Sequence, residues 1–449
     1  MDDSLLRKQR MKQLIEPYYR LNRVTVSDDT SLFAEALAAS LKVDLLSFPS
    51  GTPCLTWTIP DKWIVRQAYI EKADGERIAD FAWNPLYLNS YSAPFEGVLS
   101  RKELLEHVNV HPEFEDRLIY LNRWQYHKKH TKWAFSLPRS IVDALPDTDY
   151  RVVVDTAFEP GRMDVIDWII PGDSPETVLF AAHTCHPAQV NDGIACIAVL
   201  VELFRYLETL PRRQYTYRLV LGPEYYAAAA ILQHGRNIKD LRWGFYLDMV
   251  ANPLPLGFSR SFHGNSYADR ITREVLPRYG SGKLDAPYRS LYGNDEMFYD
   301  GPGFDIPTVC LARHPYEHYH TDLDDLAHCD FDKLDETYRA LEEIVGILET
   351  DAVPTRLFAG PLYLTDYDLY IDPKLDQRGY TALQEIQILM DGQRSCLDIA
   401  ETIGISFVFV RTFVEELRKH GLATLRPLAH PSERSSAKAA IPSYEEAYL

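Results

Sequence analysis

Apolar residues recur at two different spacings along this chain, and the changes of spacing mark its parts. Leu5, Leu6, Met11, Leu14 and Ile15, then Leu32, Phe33, Leu37 and Leu41, fall at helical intervals and predict two helices between about residues 5 and 45. The run Phe48-Pro49-Ser50-Gly51-Thr52-Pro53 is a turn-rich break, and Leu55–Ile59 follows as a strand. From about 150 onward short apolar runs alternate with longer helical patterns. Arg151–Phe158, Val165–Ile170, Val178–Ala182, Tyr215–Leu221, Phe245–Leu247 and Thr308–Leu311 read as strands. Gly193–Leu210, Tyr225–Gln233 and Asp332–Leu348 read as helices. This alternation predicts an α/β fold with a mostly parallel, mixed sheet flanked by helices. Its ligand site is expected at the carboxyl ends of the strands.

Two stretches break this rhythm. Residues 60–148 hold short strands such as Trp63–Ile70, a turn at Asp74-Gly75 and many aromatics, and read as an inserted β-rich domain between two parts of the sheet domain, 1–59 and 149–352. Within it, Trp124–Trp133 mixes bases and rings. A single-stranded nucleic-acid platform has that composition, but a solvated strand pair with buried aromatics has it too. Prolines 354, 361 and 373 mark residues 352–375 as a linker. Beyond it, helices at Thr381–Met390, Ser395–Thr402 and Phe407–His420, with a turn at Gly404-Ile405-Ser406 and a strand from Leu422, predict a winged helix-turn-helix over 376–430. Its third helix sets Arg411, Arg418 and Lys419 against Glu415 and Glu416, which favours a packing or protein-contact role over DNA reading. The tail from Ala429 is expected to be loose.

Composition narrows the function. Hydrophobic residues at 46% and charged residues at 25% belong to an ordinary globular protein. The net charge of −18 makes a dedicated nucleic-acid binder a poor reading and disfavours an anionic membrane surface. No run of about 18 apolar residues occurs, so no membrane-spanning helix is expected. The charged start, Met1-Asp2-Asp3-Ser4-Leu5-Leu6-Arg7-Lys8, lacks an apolar signal core, which points to the cytoplasm. Six scattered cysteines without a CxxC pair read as free thiols. A homo-oligomer is compatible with all of this.

The chemistry concentrates at predicted strand ends. Ala181-Ala182-His183-Thr184-Cys185-His186-Pro187 ends a buried strand in two histidines, and Asn191-Asp192-Gly193 opens the next helix. Imidazole and carboxylate are good ligands for Zn²⁺. Satisfied loop histidines and an N-capping aspartate would leave the same residues. Three further segments place Glu224, Asp248 and His320 at or near strand ends of the same sheet.

This order of His, Asp, Glu, Asp and His resembles the zinc aminopeptidases of the bacterial leucyl aminopeptidase and glutamate carboxypeptidase group. His-x-Cys-His-Pro with Asn-Asp, the insert and the C-terminal module together resemble a bacterial family of aminopeptidase-like, zinc-containing proteins grouped with polysaccharide or natural-product biosynthesis. The resemblance implies His183 as a first ligand, Asp192 as a carboxylate bridging two metals, Glu224 as general base, Asp248 as a second carboxylate ligand and His320 as the last ligand. Two departures stand out: Tyr225 replaces the second residue of the Glu-Glu pair, and Cys185 replaces an aspartate, with His186 beside it. The expectation is one firmly held Zn²⁺, drawn from His183 or His186, Asp192 and His320. The reaction implied is hydrolysis of an amide bond in a peptide or small amide metabolite. Tyr225, Asp295, Glu296 and Tyr316 are candidate substrate contacts. The alternative is a binding or scaffold protein that keeps a peptidase fold without efficient turnover, for which the lost glutamate is an argument.

Overall fold

A computed structural model describes residues 3–127, 129–279, 285–290 and 293–428. Its centre is an eight-stranded mixed sheet. The strands are β1 (Asp44–Pro49), β2 (Arg162–Ile170), β3 (Thr177–His183), β4 (Thr216–Gly222), β5 (Leu241–Leu247), β6 (Gly257–Ser259), β7 (Asp285–Ala286) and β8 (Thr308–Ala312), in spatial order β1-β2-β4-β3-β5-β8-β6-β7. The four middle strands, β4, β3, β5 and β8, are parallel, and β2 and β6 flank them in antiparallel pairings. Their apolar runs are continuous because both faces are covered. Val178, Phe180 and Ala182 of β3 pack toward the helices Asp3–Ile15, Ala195–Thr209 and Phe331–Thr350, while Leu179 and Ala181 pack toward Tyr226–His234 and Glu296–Tyr299. Pairing of His183 with Gly222 brings the carboxyl ends of β3 and β4 level.

The inserted unit has its own four-stranded antiparallel sheet and its own core around Trp63, Tyr91, Phe135, Tyr150 and Val152. Here the structure corrects the strand expected at Arg151–Phe158. It forms, as Asp149–Glu159, but pairs with Lys62–Lys72 and Phe95–Ser100 inside the insert and not in the main sheet. Alternating polarity announces a strand without naming its partner, so the chain returns to the main sheet about ten residues later than the pattern suggested. The segment Trp124–Trp133 is not a strand pair. Arg123–Tyr126 is a 3₁₀ turn, and Trp133 stacks on His107 and Phe95 at centroid distances of 3.9 and 4.4 Å.

The expected linker also differs. Ala352–Arg356 is a strand that pairs with Ala423–Pro427, and helices Gln377–Leu389, Cys396–Ile403 and Phe407–Lys419 pack beside it. Leu383, Ile386, Val410 and Phe413 belong to the same apolar cluster as the helices of the main sheet. Arg270 pairs with Asp398 and Glu401, and Asp351 accepts from the Tyr267 hydroxyl and the Leu397 N–H. The C-terminal helices are therefore an extension of the main core and not a tethered module. The tail from Ala429 lies outside the described residues, among which no helix is long and apolar enough to cross a membrane.

Candidate metal centre

The carboxyl ends of β3, β4 and β5 deliver the residues that carry chemistry. His183 is the last residue of β3, and Asp192 sits in a kinked turn before the helix Ala195–Thr209. The turn needs Gly193, whose φ is +124°; a side chain there would also press on the Cys185 carbonyl and the His183 ring at 3.1 Å. Asp248 follows β5, and Glu224 follows β4 by two residues. His320 comes from the segment after β8.

These residues converge. His183 Nε2 lies 3.2 Å from Asp192 Oδ1 and 3.3 Å from Asp248 Oδ1. On its other side, Asp192 Oδ2 lies 3.1 Å from His320 Nε2. Three groups of three potential ligands result, His183–Asp192–Asp248, His186–Asp192–His320 and His183–Cys185–His186, each with its donor atoms within 4.8 Å of one another; in the last, His183 Nδ1 and His186 Nδ1 lie 3.0 Å apart. The first two are the ones built around Asp192, which shows one oxygen to each. His183, Asp192 and Asp248 are 0% exposed and His186 is 2% exposed. Among the described residues, neither Asp192 oxygen nor His320 Nε2 has a hydrogen-bond partner. The imidazole nitrogens of His183 and His320 face these oxygens at 3.2 and 3.1 Å without the alignment of a hydrogen bond, and a cation between such buried groups would satisfy both sides. The donor set therefore fits one or two divalent cations. Burial lowers the His186 pKa well below its ordinary value, with His183 and His320 adding to the effect, which keeps it neutral as a ligand must be.

Glu224 stands over this cluster. Burial pushes its carboxyl up to about 7, Asp192 and Asp248 reinforce the rise, and His183 opposes it. Its Oε2 is 3.9 Å from His186 Nε2 and accepts a hydrogen bond from the Tyr126 hydroxyl at 3.2 Å. Tyr126 belongs to the insert, which also reaches the other side of the site. Ile119 forms an isolated bridge with Thr321, the Tyr120 N–H donates to the His320 carbonyl at 2.8 Å, and the Tyr120 ring lies edge-on to His186 and His320.

The remaining candidates are placed differently. Tyr225 is not aimed at the cluster. Its ring packs among Trp57, Tyr126 and Phe298, and its hydroxyl meets Arg289. The Asp295-Glu296 pair is turned inward. Asp295 is buried and accepts the Tyr225 N–H at 2.6 Å; Glu296 is buried and pairs with Arg289 at 2.9 Å. The Tyr316 hydroxyl lies 3.3 Å from Asp324, which is spent on the ligand loop, accepting the Asn191 and Asp192 N–H groups at 2.7 and 2.9 Å. Asn294 donates to Asp248 Oδ2 at 2.8 Å. Tyr120, Tyr126, Asn294 and Asp324 were not singled out from the sequence. Asn294 and Asp324 flank motifs that were, and the two tyrosines carry no sequence signal beyond their place in an aromatic stretch.

A family model described as "Domain of unknown function (DUF4910)" matches residues 12–351. The chain belongs to this family. The match takes in the main sheet and the insert and stops at the C-terminal strand pair. A Clostridium acetobutylicum protein named "Putative polysaccharide biosynthesis protein with aminopeptidase-like domain" is 27% identical over 429 residues, covering 92% of this chain and 95% of that one. The crystal structure of a "putative peptidase" from the same organism has a TM-score of 0.83 at 26% identity, covering 94% and 97% of the two chains. The zinc aminopeptidase BSAP of Bacillus subtilis shares the fold, with a TM-score of 0.55 at 14% identity over 77% of this chain and 94% of that one. The expected α/β architecture, a large mixed sheet flanked by helices, is thus the fold of these peptidases.

Proposed function

We propose that this protein is a metal-dependent amide hydrolase of aminopeptidase type, and that its site holds two divalent cations, Zn²⁺ first among them. The observation that carries the proposal is the pair of buried Asp192 oxygens, each turned toward a separate set of potential ligands. This differs from the single ion expected from the sequence, in which Tyr225 stands where the second position expects a glutamate. His186 fills that position from another direction. The lost glutamate and the helix-turn-helix are the arguments for the alternative, a scaffold without turnover; His186 as a ligand would answer the first, and a test of turnover decides between the two readings.

Cations at these ligands would supply Lewis acidity, polarising an amide carbonyl and acidifying water. Glu224 accepts the proton of the attacking water and returns it to the departing amine. Burial by itself raises its pKa, and bound cations would draw it back down, favouring the unprotonated form a base needs. Tyr126 fixes the carboxylate by its hydrogen bond, and Tyr120 and Tyr126 cover the cluster on the side of the insert. A site closed on that side suits a short peptide or a small amide-bearing metabolite. The relative's name would set such a substrate in polysaccharide biosynthesis. We also read the C-terminal helices as a winged helix-turn-helix used for packing: Arg411 and Arg418 are both bound to Glu415. The deciding experiment is metal analysis after dialysis together with a screen of aminoacyl amides and anilides. Two ions per chain and turnover support the reading; one ion or none refutes the two-cation site, and no turnover by the loaded protein refutes the hydrolase.

A further inference from the structure

The loop between His183 and Asp192 folds around a buried arginine. Arg23, on the connection between the first two helices, is 0% exposed, and all five of its N–H donors go to backbone carbonyls. Nε donates to Thr184 at 3.0 Å, Nη2 to His186 and Gln189 at 3.0 and 2.7 Å, and Nη1 to Tyr18 and Tyr19 at 2.6 and 3.0 Å. None of the ion pairs among the described residues involves it. A buried cation beside a site for cations works against metal binding by charge, so its presence calls for a geometric account.

That account lies in the backbone. His186 has φ +82° and Ala188 φ +53°, a left-handed conformation that costs a side-chain-bearing residue on the order of 1–2 kcal/mol and persists only where the surroundings impose it. With this reversal the His186 ring lies between His183, whose Nδ1 is 3.0 Å from its own, and the Asp192–His320 pair, with its centroid 5.4 Å from that of His320. The reversal also turns the Thr184, His186 and Gln189 carbonyls toward one point, and Arg23 occupies that point. His183 needs no such help, because sheet pairing fixes it opposite Gly222.

We infer that Arg23 is a positioning residue for the second cation: by gathering three carbonyls of the ligand loop it holds His186 in the Asp192–His320 group while leaving the His183–Asp192–Asp248 group to the sheet. The inference rests on the two-cation reading above. The test is equilibrium Co²⁺ titration of the full chain, followed by visible absorption, with metal analysis after dialysis. The proteins are the unaltered chain, Arg23→Lys, His186→Ala, and Arg23→Lys combined with Ala188→Gly. Lysine keeps the charge but loses the planar fork. The first ion is expected to bind Arg23→Lys as it binds the unaltered chain, and the second about 10–100-fold more weakly, the usual scale for a residue that orients a ligand, with His186→Ala giving the same one-ion spectrum. Glycine at 188 relieves the strain Arg23 otherwise holds, so the double variant should regain part of the second affinity. Equal weakening of both ions, no weakening of either, or failure of both Arg23 variants to fold would overturn the inference, the last because Arg23 would then serve the whole fold. Fewer than two ions in the unaltered chain would instead refute the two-cation reading, and the role of Arg23 falls with it.

Discussion

Replacing Tyr126 by phenylalanine removes one hydroxyl from the insert and nothing from the sheet that holds the ligands. That hydroxyl donates to Glu224 Oε2 at 3.2 Å, longer than the usual 2.7–2.8 Å between oxygens. Hydrogen bonds to charged groups are worth about 1.5–3 kcal/mol, and the stretched geometry argues for the low end. At 1.36 kcal/mol for each pH unit, the loss is equivalent to about one unit. The sign follows from the state being stabilised: the bond favours the carboxylate, so removing it raises the Glu224 pKa from wherever the bound cations set it. A general base works only when unprotonated. The acidic limb of kcat/KM should therefore move about one unit to higher pH, with the alkaline plateau nearly unchanged. The assay is hydrolysis of an aminoacyl anilide by the metal-loaded variant from about pH 5 to pH 10. A limb that stays within a few tenths of a unit would refute the hydrogen bond's role. A plateau lowered tenfold without a shift would move Tyr126 from the base to the substrate.

Other perturbations test other parts of the molecule. Glu224→Gln should retain its metals, as read by metal analysis, and lose about 10²–10⁴ in kcat; near-normal turnover would assign the base elsewhere. Asp167 and Arg218 form a bidentate pair, each about 1% exposed, so Asp167→Asn leaves a buried cation uncompensated and should cost about 3–5 kcal/mol in a urea melt. Ending the chain at Asp351 uncovers the apolar face that Ile386, Val410 and Phe413 pack against, and should abolish a cooperative thermal transition; a truncated chain that melts cooperatively would show the C-terminal helices to be independent. Burial raises the Asp351 carboxyl from 3.8 to about 6. Its stabilising contribution is full below about pH 4 and is lost as pH rises through 6, so Asp351→Asn should be more stable than the unaltered chain at neutral pH by up to about 3 kcal/mol, and should lose that advantage in acid.

Much of the site could be read from the chain because a parallel sheet gathers strand ends. Once β3, β4 and β5 are recognised as buried apolar runs, His183, Glu224 and Asp248 must emerge on one edge. Where the reading failed, the missing information was tertiary. No local pattern says that His186 takes a left-handed backbone, since that conformation is imposed by Arg23, more than 160 positions away. Nothing in the bases and rings of Trp124–Trp133 says that Tyr126 turns inward to a carboxylate. The prolines read as linker markers include Pro354, which lies in a strand paired with Ala423–Pro427 on one side and held on the other by an isolated bridge, Thr355–Asp391, where its missing donor is tolerated.

The insert touches the catalytic cluster at two points, through Tyr120 at the His320 side and Tyr126 at Glu224. Lifting it would break both contacts in a single motion. In the proposed hydrolase, access to the site and orientation of the base would then depend on the same two contacts. An agent that clamps the insert from outside, without approaching the metals, would slow turnover by holding the site closed.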